Sequence, residues 1–205
     1  MVKDLYDTLL ETYGPQGWWP LSHRIGEPGF TSEGYHPGVF PVLREEDRFH
    51  IVTGAVLTQN TAWKNVRKAL TALEDAKIRR AEDLAVLPLD NLSQLIRPSG
   101  YYNQKAKKLQ GVMGFFLRGG HLKTGIPPER PRLLNVWGIG PETVDSILLY
   151  AFDVPVFVVD AYTFRLWERF FGSSCNKDYH ALQESITREL PRDARVYQEF
   201  HALIV

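Results

Sequence analysis

The sequence has 205 residues, 44% of them hydrophobic, which is enough to build one compact unit or two small lobes around a real core. No apolar run approaches the roughly 18 to 20 residues that cross a bilayer, and the start Met1-Val2-Lys3-Asp4 lacks the basic and then apolar pattern of a secretory signal, so we expect a soluble, cytoplasmic protein without a membrane partner. Cys175 is the only cysteine, which excludes an internal disulfide and a cysteine-rich metal site within these residues. The formal net charge is zero, so the chain lacks the strong overall positive charge of many nucleic-acid-binding proteins.

The spacing of apolar residues predicts helices from the start of the chain. A first helix covers residues 3–13, and an ordered loop rich in glycine, proline and aromatic residues follows over 14–40. A helical pattern resumes at residue 47 and is interrupted about ten positions later. There, Asn60 or Thr61 is expected to cap a second helix.

Helices are also predicted along the rest of the chain, at 81–86, 89–97, 103–117, 130–136, 141–150, 161–171, 178–190 and 193–204. Only Val156-Phe157-Val158-Val159 alternates as a strand would, and nothing else in the chain offers it a sheet. We therefore predict an all-α fold.

A turn between two helices carries the first functional signal. Gly138 and Gly140 flank Ile139 and permit a tight turn with positive φ, and Pro141 suits the first position of the next helix. The backbone N–H groups at that helix start, aided by the helix dipole, bind phosphate without any side-chain charge. An ordinary helix-to-helix turn is the alternative for so short a pattern.

Asp160 carries the second signal. It lies behind an apolar run and just before a predicted helix, in the sequence V-V-D-A-Y-T-F-R. A helix-capping aspartate is the simpler interpretation. Both roles can coincide, because an aspartate held at a helix start beside apolar residues is rigidly placed and partly desolvated.

Residues 133–166, which hold both signals, resemble the hairpin and catalytic loop of the helix-hairpin-helix (HhH-GPD) DNA glycosylases, the endonuclease III superfamily. GAVLTQNT at 54–61 and SGYYNQKA at 99–106 resemble two further motifs of that superfamily, in the same order. The resemblance implies that Asp160 is the catalytic residue of a base-excision-repair enzyme, that Gln59 fills the gap left by a flipped base, and that Tyr101 wedges into the duplex. The remaining DNA-binding residues that it implies are Lys105, Gly138, Ile139, Gly140, Glu142 and Thr143.

The resemblance also implies an architecture and a partner. We expect two helical lobes with the active-site cleft between them: a central lobe over 49–154 that contains the hairpin, and a second lobe formed by 1–48 and 155–205. The expected partner is double-stranded DNA with a damaged base, bound by a monomer in the cytoplasm of a bacterium or archaeon, at the nucleoid.

The hairpin sequence also bears on the chemistry. Members of the superfamily that cleave the DNA strand carry a lysine two residues after the second hairpin glycine, and it forms a Schiff base with C1′. Glu142 stands there in this chain, and a carboxylate cannot form an imine. We therefore predict hydrolysis by water, with Asp160 stabilising the cationic sugar or orienting the water, and no AP-lyase activity. Lysines elsewhere leave strand cleavage open.

Two segments point to a substrate. Gly17-Trp18-Trp19-Pro20 and residues 97–109 resemble the 3-methyladenine DNA glycosylase III branch of the superfamily, in which an aromatic pocket stacks on an alkylated purine. A cationic alkylated base is attracted to aromatic faces, so Trp18, Trp19, Pro20 and Phe40 are predicted to line a base pocket. The alternative is that the two tryptophans only pack their lobe.

Two departures keep other functions open. The alkylpurine branch has a lysine where this chain has Leu203, and endonuclease III continues past this point into four cysteines that bind an iron–sulfur cluster. We predict no cofactor and no metal within these residues, a cluster being possible only if the natural protein extends past Val205. The alternatives are an endonuclease III-like glycosylase for oxidised or mismatched pyrimidines and a non-catalytic DNA-binding helix-hairpin-helix module.

Overall fold

A computed structural model describes residues 1–172 and 178–205 of the chain. Every regular element in these ranges is helical, which confirms the all-α fold. The helices are α1 (Val2–Tyr13), α2 (Glu45–Leu57), α3 (Trp63–Asp75), α4 (Ala81–Val86), α5 (Leu89–Leu95), α6 (Tyr102–Gly119), α7 (His121–Thr124), α8 (Arg130–Leu134), α9 (Pro141–Phe152), α10 (Ala161–Phe171), α11 (Tyr179–Thr187) and α12 (Ala194–Ile204), with short 3-10 turns at Ser22–Arg24 and Arg97–Ser99. Cys175, which we interpret as a thiol without a role, lies outside the described residues.

The chain divides into two compact units. One consists of residues 1–41 and 148–205, and the other of residues 42–147. These boundaries lie a few residues earlier in the chain than those expected from the sequence. We refer to them below as the terminal unit and the central unit.

The central unit is built around α2. This helix is buried on almost all sides, from Asp47 to Leu57, which is why its sequence lacks a polar stripe. Helices α3, α6 and α7 pack against it, and α4 and α5 pack against α6. The first residue before α3 is Ala62, which offers no side-chain cap, so the expectation of a cap at Asn60 or Thr61 was wrong. Asn60 instead adopts φ 52°, a left-handed conformation that asparagine tolerates better than most residues.

The terminal unit is built around α12. Phe200 is fully buried there, with ring centroids 5.5 Å from Tyr6 of α1 and 5.6 Å from Phe157. Residues 156–159 take no part in a strand, as expected for an apolar segment without a partner. Within the described ranges, no helix has both the length and the apolar character to cross a membrane.

Candidate active site

Asp160 caps α10 with one of its two carboxylate oxygens. Its Oδ1 accepts hydrogen bonds from the Thr163 backbone N–H at 2.7 Å and from the Thr163 hydroxyl at 2.8 Å. The local sequence explains this, since aspartate followed three positions later by a residue with a polar side chain forms a reciprocal cap. The Asp160 side chain is 14% exposed, and Oδ2 takes no part in the cap. The carboxylate is thus held rigidly and retains an oxygen for other work.

His201 of α12 faces that second oxygen. Its Nε2 lies 4.0 Å from Asp160 Oδ2, and its Nδ1 lies 2.7 Å from the Tyr150 hydroxyl, which also lies 3.1 Å from the Gln198 backbone oxygen. Burial lowers the pKa of His201, and the Asp160 carboxylate opposes that shift. Burial raises the pKa of Tyr150 well above its ordinary value, so this phenol stays protonated. The terminal unit therefore places a neutral imidazole beside the predicted catalytic carboxylate.

Aromatic rings run from the Trp18-Trp19 pair to His201. The Trp19 ring is 5.2 Å from Trp18 and 5.5 Å from Tyr150, and Tyr150 is 5.8 Å from His201. Trp18 also lies 6.0 Å from Tyr35. The structure thus links the two predicted pocket tryptophans to the surroundings of Asp160 through one buried tyrosine.

The other two predicted pocket residues lie differently. Pro20 is buried directly after Trp19. Phe40 is 41% exposed, and the guanidinium of Arg195 lies 5.0 Å from its ring centroid. A cation already occupies a face of Phe40, which makes it a weaker candidate than the tryptophans for stacking on a base.

Two residues that sequence reasoning missed hold the tryptophan loop. The Glu199 carboxylate accepts a 2.5 Å hydrogen bond from the Gln16 backbone N–H, and burial raises its pKa although hydrogen bonds from Gln16 and Gly17 oppose this. The ring nitrogens of His36 lie 3.1 Å from the Trp19 carbonyl oxygen and 2.7 Å from that of Val39. These contacts fix the backbone on both sides of Trp18.

His201 and Tyr150 were also missed as site residues. In the sequence, Tyr150 ends the predicted helix 141–150 and His201 lies within the predicted helix 193–204, and no motif singles out either residue. A signal was available in the spacing of Gln198 and His201, because polar residues three positions apart share one face of a helix. Nothing local showed that this face meets Tyr150.

The hairpin lies in the central unit between α8 and α9. Gly138 has φ 87°, as predicted for a tight turn. Gly140 does not have a positive φ, and a Cβ there would meet nothing within 4 Å, so Gly138 alone of the two supplies the positive φ of the turn. A Cβ on Gly138 would lie 2.6 Å from Cγ of Lys108, which packs across the turn. Gly138 is therefore required by packing as well as by conformation.

Gln59 is tied to this hairpin. Its Nε2 donates to the Gly138 carbonyl oxygen at 3.2 Å and to the Thr143 hydroxyl at 3.0 Å, and its Oε1 accepts from Lys108 Nζ at 2.6 Å. The structure thus brings together the predicted residues Gln59, Gly138 and Thr143. Ile139 is buried between the glycines, and Glu142 is exposed in the first turn of α9.

Tyr101 projects from the turn before α6. It is 70% exposed and adopts φ 46°, a left-handed conformation that is costly for a bulky residue. An exposed aromatic ring held in a strained turn is suited to insertion into a base stack. Trp137 is a second exposed ring, at 65%, directly before the hairpin, and the sequence had not singled it out.

The structure corrects the role predicted for Lys105. It was expected to contact DNA, but it is 2% exposed, and its ammonium donates to the backbone oxygens of Leu57 at 2.8 Å and Ser99 at 2.7 Å. These carbonyls precede Gln59 and Tyr101 by two residues each. The buried ammonium satisfies both oxygens and connects the two loops, because backbone oxygens inside a protein need a donor. Lys105 is thus a structural lysine.

Replacing Lys105 by methionine is expected to lower the free energy of unfolding by about 1 to 3 kcal/mol at pH 7, because two buried carbonyl oxygens lose their donor. Burial, with a smaller contribution from Lys108, lowers the pKa of Lys105 to about 8, whereas in the unfolded chain it is about 10.4. Between these two pH values the unfolded chain binds more protons than the folded protein, so this group makes the wild-type free energy of unfolding increase as pH rises. Urea unfolding at pH 7 and 9.5 should show a larger gap between wild type and variant at the higher pH.

Lys107→Met is the matched control, since Lys107 is exposed on the same helix. It should change the free energy of unfolding by less than about 0.5 kcal/mol. A gap that narrows as pH rises, or equal losses in the two variants, would show that Lys105 is not a buried charge.

The hairpin, the capped aspartate and the nearby aromatic rings define a helix-hairpin-helix protein of the DNA glycosylase class, and comparison with known proteins agrees. The model of a family described as "HhH-GPD superfamily base excision DNA repair protein" matches residues 53–192. The chain belongs to this superfamily and is a DNA repair glycosylase.

Three similar proteins bear on the details. A protein of Methanocaldococcus jannaschii described as a DNA repair glycosylase is 37% identical over 212 residues, covering 100% of this chain and 86% of the relative. Endonuclease III of Thermotoga maritima is 28% identical over 152 residues, covering 73% of this chain and 68% of the relative. The crystal structure of the H. pylori 3-methyladenine DNA glycosylase bound to 1,N6-ethenoadenine superposes with a TM-score of 0.73 at 29% identity, covering 99% of this chain and 91% of that one.

An iron–sulfur cluster does not fit the residues of this chain. Such clusters are held by sets of cysteine thiolates, commonly four. The sequence contains a single cysteine, Cys175, which cannot supply such a set of ligands.

Proposed function

We propose that this chain acts as a monomer on duplex DNA, flips out an alkylated purine such as 3-methyladenine, and hydrolyses its N-glycosidic bond without AP-lyase activity. The observation that carries the proposal is the capped Asp160 carboxylate, whose Oδ2 stands at the end of the aromatic series from Trp18 through Tyr150. Aromatic faces favour a cationic base over a neutral one, and alkylation at N3 or N7 makes a purine cationic.

In this mechanism the chemistry demanded of the protein is small. An alkylated purine leaves as a neutral molecule, so it needs no proton from an acid. The sugar becomes cationic as the bond to the base breaks, and a rigid carboxylate beside C1′ stabilises that charge. Asp160 is prepared for this because Thr163 holds Oδ1 and leaves Oδ2 to act.

Two features support hydrolysis by water. Glu142 occupies the position of the Schiff-base lysine and is a carboxylate. Lys105, the lysine of the SGYYNQKA motif, is buried and donates hydrogen bonds to the backbone oxygens of Leu57 and Ser99. Borohydride added during the reaction should therefore trap no covalent protein–DNA adduct, and an adduct would contradict the assignment.

A panel of duplex oligonucleotides with single lesions tests the substrate. We expect release of the cationic bases 3-methyladenine or 7-methylguanine, and no release of thymine glycol or of uracil opposite guanine. Release of the pyrimidines alone would favour an endonuclease III-like glycosylase. The T. maritima relative supports that second candidate, as does Leu203 in the position of the lysine found in the alkylpurine branch. Tight binding to an abasic-site analogue without release of any base would favour a DNA-binding module.

Tyr101→Gly is expected to weaken binding to an abasic-site duplex by about tenfold or more, because a stacked aromatic ring contributes about 1 to 3 kcal/mol. Glycine relieves the left-handed strain at φ 46° and adds flexibility to the unfolded chain, so stability should change by only about 1 kcal/mol. Fluorescence anisotropy measures the affinity. Tyr13→Ala removes a tyrosine of similar exposure, 67%, and should leave binding unchanged; equal losses in both would show that Tyr101 has no special role.

A further inference from the structure

The geometry around His201 extends the proposed function, on which this inference rests. His201 Nε2 is buried, and no residue that the structure describes lies within hydrogen-bonding distance of it. It points toward Asp160 Oδ2, 4.0 Å away. A buried ring nitrogen without a hydrogen bond destabilises a folded protein, which makes this atom a candidate for binding a ligand.

The hydrogen bonds of Tyr150 determine which form of the imidazole this is. The Gln198 backbone oxygen can only accept, and it lies 3.1 Å from the Tyr150 hydroxyl. The hydroxyl has one proton, and when it donates to Gln198 its oxygen accepts from His201 Nδ1 at 2.7 Å. A neutral His201 that carries its proton on Nδ1 has a bare lone pair on Nε2, directed at Asp160.

Two acceptors then face each other. Asp160 Oδ2 and His201 Nε2 each present a lone pair, and at 4.0 Å they make no hydrogen bond to one another. One water molecule with about 2.8 Å to each atom spans this separation and donates one proton to each. Its oxygen keeps both lone pairs for an electrophile.

We propose that His201 Nε2 and Asp160 Oδ2 together bind the water that attacks C1′, and that His201 accepts the proton which this water loses. The bond between C1′ and the base breaks, its electron pair leaves with the base, and a cationic base departs neutral. The water oxygen bonds to C1′, one of its protons stays on the new hydroxyl, and the other passes to Nε2. The resulting imidazolium is stabilised by the Asp160 carboxylate and later releases its proton to solvent.

The surroundings prepare His201 for this role. Its lowered pKa keeps it neutral before reaction, and the raised pKa of Tyr150 keeps the phenol a donor to Gln198. Among the described residues, Asp160 before α10 faces Nε2 and Tyr150 on α9 lies against Nδ1, while the charge of Glu199 acts on Tyr150. Tyr150 acts here as a positioning residue, because it sets the tautomer of His201 without touching the water.

Single-turnover base release from the most rapidly processed duplex of the lesion panel provides the test. His201→Phe should lower the rate constant at saturating enzyme by about 100-fold, the low end for loss of a general base, with affinity for an abasic-site duplex changed by less than about twofold. His201→Gln returns an acceptor atom and should recover part of the rate. It should also lose the fall in rate that the wild-type enzyme shows toward acidic pH as His201 becomes protonated.

Tyr150→Phe keeps the ring and removes the hydroxyl, and it should lower the rate constant by about tenfold, a loss near that of one hydrogen bond. The matched control is Tyr197→Phe, a buried tyrosine on the helix of His201 whose ring lies 5.8 Å from Phe157. This variant should release base at the wild-type rate. Nitrogen-15 chemical shifts of His201 in the unaltered protein give a readout that needs neither a variant nor activity, and they should show a proton on Nδ1 and none on Nε2.

The outcomes separate this inference from the proposed function. If Asp160→Asn is inactive while His201→Phe retains the wild-type rate, or if Nε2 carries the proton, the role of His201 is overturned and that of Asp160 stands. If Asp160→Asn releases base as fast as wild type, or if the unaltered chain releases no base from any duplex, the proposed function fails and this inference fails with it.

Discussion

Replacing Asp160 by asparagine should slow base release by about 1000-fold while leaving the protein folded. The proposed role of the carboxylate is to stabilise a positive charge that exists only in the transition state, and the loss of one such electrostatic group costs about 100- to 1000-fold. Asparagine caps a helix about as well as aspartate, so its side-chain oxygen can still accept from the Thr163 N–H. The measurement is single-turnover release of the alkylated base, together with thermal unfolding followed by circular dichroism.

Asp193→Asn is the matched control for this variant. Asp193 caps α12 through a 2.7 Å hydrogen bond from the Arg195 N–H, so the same chemical change is made at another helix start of the terminal unit. It should leave both the rate and the unfolding temperature close to those of wild type. An equal loss of rate in the two variants would mean that capping, and not the charge at Asp160, is what the reaction needs.

Replacing Arg130 by methionine should lower the free energy of unfolding by about 3 to 5 kcal/mol. Asp145 is fully buried, and its two oxygens accept from Nε and an Nη of Arg130 at 2.6 and 3.0 Å. Removing the guanidinium leaves a buried carboxylate without its main counter-charge, which costs more than the ion pair itself contributes. Because Arg130 is on α8 and Asp145 on α9, this pair joins the two helices of the hairpin, and urea unfolding measures the loss.

Two further variants make that test specific. Arg132→Met changes an exposed arginine on the same short helix and should cost less than about 0.5 kcal/mol. Arg130→Met combined with Asp145→Leu removes both charges and should recover much of the stability, since apolar residues can replace a buried pair. A loss below about 1 kcal/mol in Arg130→Met alone would show that the pair is not needed to hold the hairpin.

The helices could be predicted from the sequence because their signals are local. Residues 81–86 were predicted as a helix and form α4 over the same span. Asp160 was predicted to stand at the start of a helix, and it caps α10. A cap and an apolar stripe involve residues only three or four positions apart, so neither depends on how the rest of the chain folds.

The roles of individual polar side chains could not be predicted in the same way. The family resemblance implies a DNA contact for Lys105, yet its ammonium is buried and donates to the backbone oxygen of Leu57, 48 positions away. The motif that contains Gln59 likewise does not show that its amide donates to the backbone oxygen of Gly138, 79 positions away. Whether a lysine is exposed or buried depends on which distant backbone oxygens approach it, and local patterning carries no information about that.

By itself, the sequence determined the helical class, the hairpin turn at Gly138, the aspartate at a helix start and the superfamily, because each depends on short-range spacing or on motifs that survive in order along the chain. Only the tertiary structure decided that Tyr150 meets His201, 51 positions away, and that His201 faces Asp160. Those contacts arise from the packing of α12 among the other helices of the terminal unit, and burial there makes the imidazole neutral.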